Sequence, residues 1–258
     1  LVLSIDVDAH VGRHDRATRQ AIHTVAHDLL DQLADARISA TWALGDLATE
    51  VLAEQIAARE AHELALLADA SWAAVGPEAF SAGLVGRLAQ ARSTGYAPTT
   101  LVLHDCALPP STEVLTRHSI SAVREPLSAV QIGGTQATLL GRLVDSLQRP
   151  KLASDQPRTL CWGVRELRST LSVPASGVGL ARRTIDRAID GASVVHVALD
   201  LPKLAAGRGA RPIMKLLRHI VRQQNAGGLE VVTITGLVAR VSDAQQARPT
   251  KSILRRAA

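Results

Sequence analysis

Short β-like runs alternate with longer stretches of helical periodicity from one end of this sequence to the other, and no other feature restricts its fold as strongly. Leu1 to Val7 reads as the first strand, and Arg16 to Ala36 carries Ile22, Ala26, Leu29, Leu30 and Leu33 at helical spacing. Ile38 to Leu44 is the second strand, followed by a helix from Asp46 to about Arg59 and a weak third strand from His62 to Leu66. A helix opening on Pro77 runs to about Ser93, and Thr99 to Leu103 is the fourth strand. A short helix near Ser111 to Arg117, a strand Ile120 to Val123 and a helix around Thr135 to Leu147 come next. Arg149 to Pro157, polar and bounded by prolines, reads as a linker or loop. Thr159 to Trp162 and Ser193 to Leu199 read as strands around a helix from Val178 to Ile189. Helix Arg211 to Gln224 ends at Gly227-Gly228, and Leu229 to Ile234 is the last strand.

That is about eight βα units, which predicts an α/β protein on a parallel sheet. Eight units in 258 residues match the size of a closed β/α barrel of seven to eight units, with a doubly wound open sheet as the alternative. No Gly-rich phosphate loop follows the first strand, where the chain reads Asp6-Val7-Asp8-Ala9-His10, so dinucleotide binding is disfavoured. A composition of 47% hydrophobic and 21% charged residues fits one globular core and excludes disorder. Residues 1–243 form the expected single domain, with 244–258 as a basic, flexible tail.

In a barrel, chemistry belongs at the carboxyl ends of the strands. There the sequence places Asp6, Asp8 and His10, then Asp46, then Leu67, Asp69 and Ser71. Further round come His104 and Asp105, Arg124, Arg165 and Glu166, Asp200, and finally Thr233 and Thr235. Asp6 and Asp8 can converge on one cavity, one holding a divalent metal and the other acting as general base on a bound water. They can equally cap the following loop or pair with Arg13 or Arg16. Trp42, Trp72 and Trp162 fall on or near strand ends, where an indole can stack on a sugar or fill the core. His23 and His27 read as solvent-exposed, His118 and His219 as helix-surface residues, and His196 as a hydrogen-bonded core histidine.

Several segments together resemble the NodB homology domain of polysaccharide deacetylases, whose fold is a distorted β/α barrel. Leu3-Ser4-Ile5-Asp6-Val7-Asp8 is similar to that family's opening motif, which implies Asp6 as general base and Asp8 as metal ligand. Ile38 to Gly45 resembles its second-strand segment, and Ala61-His62-Glu63-Leu64-Ala65 the lead-in to its histidine motif. Val123-Arg124-Glu125-Pro126 resembles its arginine motif, implying that Arg124 orients Asp6. Val195 to Leu204 is similar to its last motif, and Gly228 to Thr233 to its closing strand.

The departures carry as much information. The two metal-ligating histidines of the family fall on Leu67 and Ser71, and the general-acid histidine falls on Asp200. Leu has no donor atom and Ser is a poor zinc ligand. The resemblance then leaves Asp6, Arg124 and Asp200 in catalytic positions, with Trp42, Trp72, His104 and Glu166 as substrate-binding candidates. Asp8, His10 and Asp105 are the candidate metal ligands, and an oxygen-rich set with Asp6 and Asp200 would suit Mg²⁺, Ca²⁺ or Mn²⁺. The cofactor is thus expected to be none, or a weakly bound divalent metal. The expected function is a divergent deacetylase-like protein that binds a glycan or related ligand, or acts as an inactive partner to active enzymes. The alternative is a metal-dependent hydrolase removing an acyl group from an amino sugar through rebuilt ligands around Asp6 and Asp8.

Lys+Arg 29 against Asp+Glu 24 gives a net charge of +5. Arg248, Lys251, Arg255 and Arg256 place four of those charges in the terminal segment, leaving +1 for the rest and no support for a nucleic-acid-binding domain. Three Trp, one Tyr and one Phe are too few for the stacking platforms that grip single strands or long sugar chains, so a short carbohydrate or amino-sugar ligand is expected. Cys106 and Cys161 read as free thiols without metal-ligand spacing. No initiator Met and no signal peptide opens the chain, so its start is processed or preceded by further residues. No run reaches the length of a membrane span, cytoplasm is the default compartment, and a homo-oligomer is one open option.

Overall fold

The computed structural model describes residues 1–8, 14–47, 51–68, 76–104, 106, 108, 112–125, 157–161, 163–173, 177–207 and 211–246. The expected helix Thr135 to Leu147 and nearly all of the stretch Arg149 to Pro157 lie outside them. The elements run β1 (Val2–Val7), α1 (Arg16–Asp35), β2 (Ala40–Leu44), α2 (Val51–Ala57), β3 (His62–Ala68), α3 (Pro77–Ser93), β4 (Thr100–Leu103), α4 (Glu113–Arg117) and β5 (Ala122–Arg124). They continue with β6 (Arg158–Cys161), β7 (Val164–Leu167), β8 (Leu171–Ser172), α5 (Val178–Asp190), β9 (His196–Asp200), α6 (Leu201–Ala206), α7 (Arg211–Asn225) and α8 (Ile234–Gln246).

One nine-stranded sheet has the order β6-β7-β5-β4-β3-β2-β1-β9-β8, so the architecture is α/β as the alternation requires. Every neighbouring pair is parallel except β6 with β7. The two ends of this order, β6 and β8, do not pair with each other, so the described sheet is a half-barrel rather than a closed ring. Strand alternation sorts the side chains into two layers. Leu3, Ile5, Val7, Trp42, Leu44, Leu66, Leu101, Leu103 and Val123 face outward into a large core shared with the helices. Val2, Ala43, Ala65, Leu67, Val102, Ala122 and Leu167 face inward, where Ile234, Leu237 and Val238 of α8 close the cluster. Both faces being covered explains why the central strands read as nearly continuous apolar runs.

Local chemistry sets the boundaries. Asp15 caps α1 by accepting from the Thr18 amide at 2.7 Å, and Pro77 opens α3 in the first turn, where a missing N–H costs nothing. After α3, Gly95 takes φ +87° while the Tyr96 amide donates back to the Ala91 carbonyl.

Three expectations are corrected here. Leu229 to Ile234 is not a strand: only Val2 and Val232 bridge there, and the chain turns at Thr233 into helix α8, whose start is capped by the Gly236 amide donating to Thr233 Oγ1 at 3.1 Å. Thr233 and Thr235 therefore lie at the amino end of the sheet, beside the first residues of β2 to β4. Arg165 also belongs to that end, donating to Thr159 Oγ1 at 2.6 Å and to Gln245 of α8. Finally, β7, β8 and α6 are elements that periodicity did not separate, since four, two and six residues are too short to establish a period.

Candidate functional site

Inside the curved sheet, β1 supplies Ser4 and Asp6 on its inner face, and Asp8 follows just past its end, all three buried. Arg124, the last residue of β5, reaches across to them. Its Nη1 and Nη2 donate to Asp6 Oδ1 at 2.7 Å and Oδ2 at 2.6 Å, a bidentate pair in which each side chain is 1% exposed. Nη1 also donates to Ser4 Oγ at 2.9 Å, and His196 Nε2 lies 2.9 Å from the same oxygen. On the other side, His104 Nδ1 stands 3.3 Å from Asp6 Oδ2. A continuous polar line thus runs His196, Ser4, Arg124, Asp6, His104 from the sheet's amino half to the carboxyl end.

Burial alone would raise the Asp6 pKa, but the Arg124 charge and the hydrogen bonds from His104 and Arg124 outweigh it and hold the carboxyl at about 2. For His196 burial dominates, reinforced by the Arg124 charge, and its pKa falls to about 3, so the ring is neutral. Ser4 Oγ accepts from Arg124 and pairs with His196 Nε2, and the ring tautomer sets both the direction of that bond and whether Nδ1 carries the proton. That Nδ1 and Arg124 Nε are buried without a protein partner among the described residues.

A neutral buried histidine contributes stability above its unfolded pKa of 6.5, and that contribution is lost as pH falls toward 3. Subtracting the pH–stability curve of His196→Gln from that of the native chain, by urea unfolding between pH 4 and 7, is expected to isolate a loss beginning near pH 6.5. Parallel curves would remove His196 as its source.

Asp200 faces inward beside Asp6, its register partner on β9. Its carboxylate caps α6 by accepting from the Lys203 amide at 3.1 Å and pairs with Lys203 Nζ at 2.5 Å. Two carboxylates on adjacent strand ends are thus each paired with a cation, Asp6 with the buried Arg124 and Asp200 with the half-exposed Lys203. Leu67, at the first position of the implied histidine pair, lies in the inner apolar cluster at 2% exposure.

The remaining candidates divide. Trp42 is fully buried in the outer core, edge-on to His62 with ring centroids 6.1 Å apart, so its indole is out of reach of a ligand inside the sheet. Glu166 also faces outward: it pairs in register with Val123 of β5, one strand position from inward-facing Leu167. There burial, then a hydrogen bond and like charge from Glu125, hold its carboxyl above the ordinary range. His219 is buried rather than on a helix surface, with Nε2 2.8 Å from Asp186 Oδ1, because α5 packs against α7. His23, His27 and His118 are half-buried. His10, Asp69, Ser71, Trp72, Asp105 and Trp162 lie outside the described residues. Sequence reasoning gave no role to Ser4, which joins Arg124 to His196; its inward position two residues before Asp6 was the available signal.

The NodB resemblance implies a zinc ion, and the part of the donor set that lies among the described residues does not fit one. Leu67 offers no lone pair, Asp6 is taken up by Arg124, and among the described residues no three His, Cys, Asp or Glu side chains converge.

No family model and no curated protein matches this sequence. Solved structures do. A protein from Mycobacterium smegmatis designated a polysaccharide deacetylase superposes with a TM-score of 0.68 at 13% identity, over 95% of this chain and 90% of that one. Another, from Bordetella bronchiseptica, designated a polysaccharide deacetylase involved in O-antigen biosynthesis, superposes with a TM-score of 0.50 at 13% identity over 95% and 89%. The fold is therefore that of the distorted NodB-type barrel of these polysaccharide deacetylase structures. Among the described residues no helix is long and apolar enough to cross a membrane.

Proposed function

We propose that this chain uses a polysaccharide deacetylase-type barrel to bind a short glycan or amino sugar at the carboxyl end of the sheet, without zinc-dependent deacetylation. The observation that carries this reading is Leu67: the position of the family's first metal-ligating histidine is held by an apolar side chain buried in the inner cluster at 2% exposure. Asp200, where a proton donor would stand, is an ionic partner of Lys203. Of the buried carboxylates there, Asp6, Asp8 and Asp200, at least Asp6 and Asp200 are paired with cations of this chain, which favours an uncharged polyol over a bare cation.

Thermal denaturation with glucosamine, N-acetylglucosamine and short oligomers of each, with and without Zn²⁺, Mn²⁺ or Mg²⁺, tests this. Stabilisation by sugar at concentrations near its Kd, with no dependence on metal and no acetate released, is the expected result. Stoichiometric metal together with acetate release that Asp6→Asn abolishes would establish the competing reading, a hydrolase of amino-sugar amides with rebuilt ligands, and overturn this one.

A further inference from the structure

Positive charge is concentrated on a second surface, away from the polar line inside the sheet. Helix α7 contains Arg211, Lys215, Arg218 and Arg222 and not one acidic residue. The spacing of three and four residues puts Lys215, Arg218 and Arg222 on one stripe. Its opposite face, Ile213, Leu216, Leu217 and Ile220, is buried in the core, so the stripe is fixed toward solvent. Lys215, Arg218 and Arg222 are exposed, and none has an acidic partner among the described residues; Arg218 Nε donates only to its own helix, at the Met214 carbonyl.

The neighbouring helix extends the patch. Asp186 of α5 accepts from Gln223 Nε2 at 3.0 Å and meets His219 Nε2 at 2.8 Å, which clamps α5 beside α7 and occupies that carboxylate. On the outer side of α5, Leu180, 49% exposed, is followed at one-turn steps by the exposed Arg183, Arg187 and Asp190, two cations and one acid. An apolar side chain set among cations fits a surface that offers both phosphate charge and an acyl boundary. It is a liability on a face meant for nucleic acid, where a loose Leu finds no partner, and the five aromatic rings of the whole chain give no stacking platform. Because the apolar side of α7 is committed to the core, the attraction is electrostatic and peripheral rather than insertional.

We propose that the α5–α7 face docks this protein onto an anionic membrane surface, with Lys215, Arg218 and Arg222 contacting lipid phosphates and Leu180 resting at the headgroup level. This is independent of what the barrel binds.

Sedimentation of the full chain with large unilamellar vesicles of phosphatidylcholine, alone or with 30% phosphatidylserine, is the test. Binding is expected only to the phosphatidylserine vesicles and to weaken steeply as salt is raised. At about 1 kcal/mol for each basic residue near the surface, Lys215→Gln/Arg218→Gln/Arg222→Gln should lower the partition coefficient by roughly a hundredfold at low salt. All three positions are exposed, and an unchanged circular dichroism melt confirms that the variant folds. Its terminal basic segment is intact, so undiminished vesicle binding by the variant would assign binding to that segment and overturn the proposal. Equal binding to both vesicle types, or no vesicle binding alongside tight binding of duplex DNA, would overturn it as well.

Discussion

Replacing Arg124 by Met is expected to cost about 3–5 kcal/mol of stability at neutral pH, measured by urea unfolding, because it strands an ionised Asp6 in a site that is 1% exposed. The penalty comes from the unpaired carboxylate rather than from lost attraction. Asp6→Leu/Arg124→Met, which removes both charges, should therefore recover most of the loss, as paired apolar replacements of buried ion pairs commonly do. If the double variant is as unstable as the single one, the pair is held for packing and not for charge.

The pH dependence separates the two states by sign. In the native protein the Asp6 pKa of about 2 lies below its unfolded value near 3.8, so its contribution, roughly 2 kcal/mol, is present above pH 4 and lost as pH falls toward 2. Without Arg124, burial prevails and the folded pKa moves above the unfolded one. The variant's deficit should then shrink on acidification toward pH 4. A deficit that stays constant from pH 7 to pH 4 would mean that Asp6 has found another cation.

How much of this was legible beforehand depended on the range of the interaction. Strands β1 to β4 and helices α1, α3, α5 and α7 announced themselves because each is amphipathic or apolar over enough residues to establish a period, and α3 was legible to its last residue. The end of the chain reads as a strand for a local reason: Val231-Val232-Thr233-Ile234 has the β-branched composition of one, whereas the acceptors that receive the first amides of the helix there include Thr41 and Glu63, far away in sequence. At the site, Asp6 and Arg124 were identified as candidates, but a sequence cannot show that one neutralises the other, since 118 residues separate them. Trp42 lies in the middle of β2 and Glu166 inside β7, both facing outward, and a sequence cannot show this because the inward or outward sense of a strand depends on a register that one residue reverses.

Glu63→Ala is expected to release α8 from the barrel at a cost of about 3–5 kcal/mol, since several buried donors lose one shared acceptor. Glu63 Oε2 accepts from Thr41 Oγ1 at 2.8 Å and from the Thr235 amide at 3.1 Å, and Oε1 accepts from Thr100 Oγ1 at 2.5 Å and from the Thr235 hydroxyl. Thr41 Oγ1 in turn accepts from the Ile234 amide at 2.9 Å, so the first turn of α8 has its free N–H groups met by a carboxylate and the threonines around it. A negative charge at that end also complements the helix dipole. Gln keeps the shape but not the charge, and its amide would present donors to hydroxyls already donating, so Glu63→Gln should fall between Ala and the native residue. Because α8 closes the inner apolar cluster through Ile234, Leu237 and Val238, its release should be partial before it is global. Hydrogen exchange is the discriminating measurement: amides of 234–246 should lose protection in Glu63→Ala while those of β1 to β3 keep theirs. Uniform loss across both segments would show instead that α8 and the sheet unfold as one unit, and a change under 1 kcal/mol would show that the Glu63 cluster does not hold the helix at all.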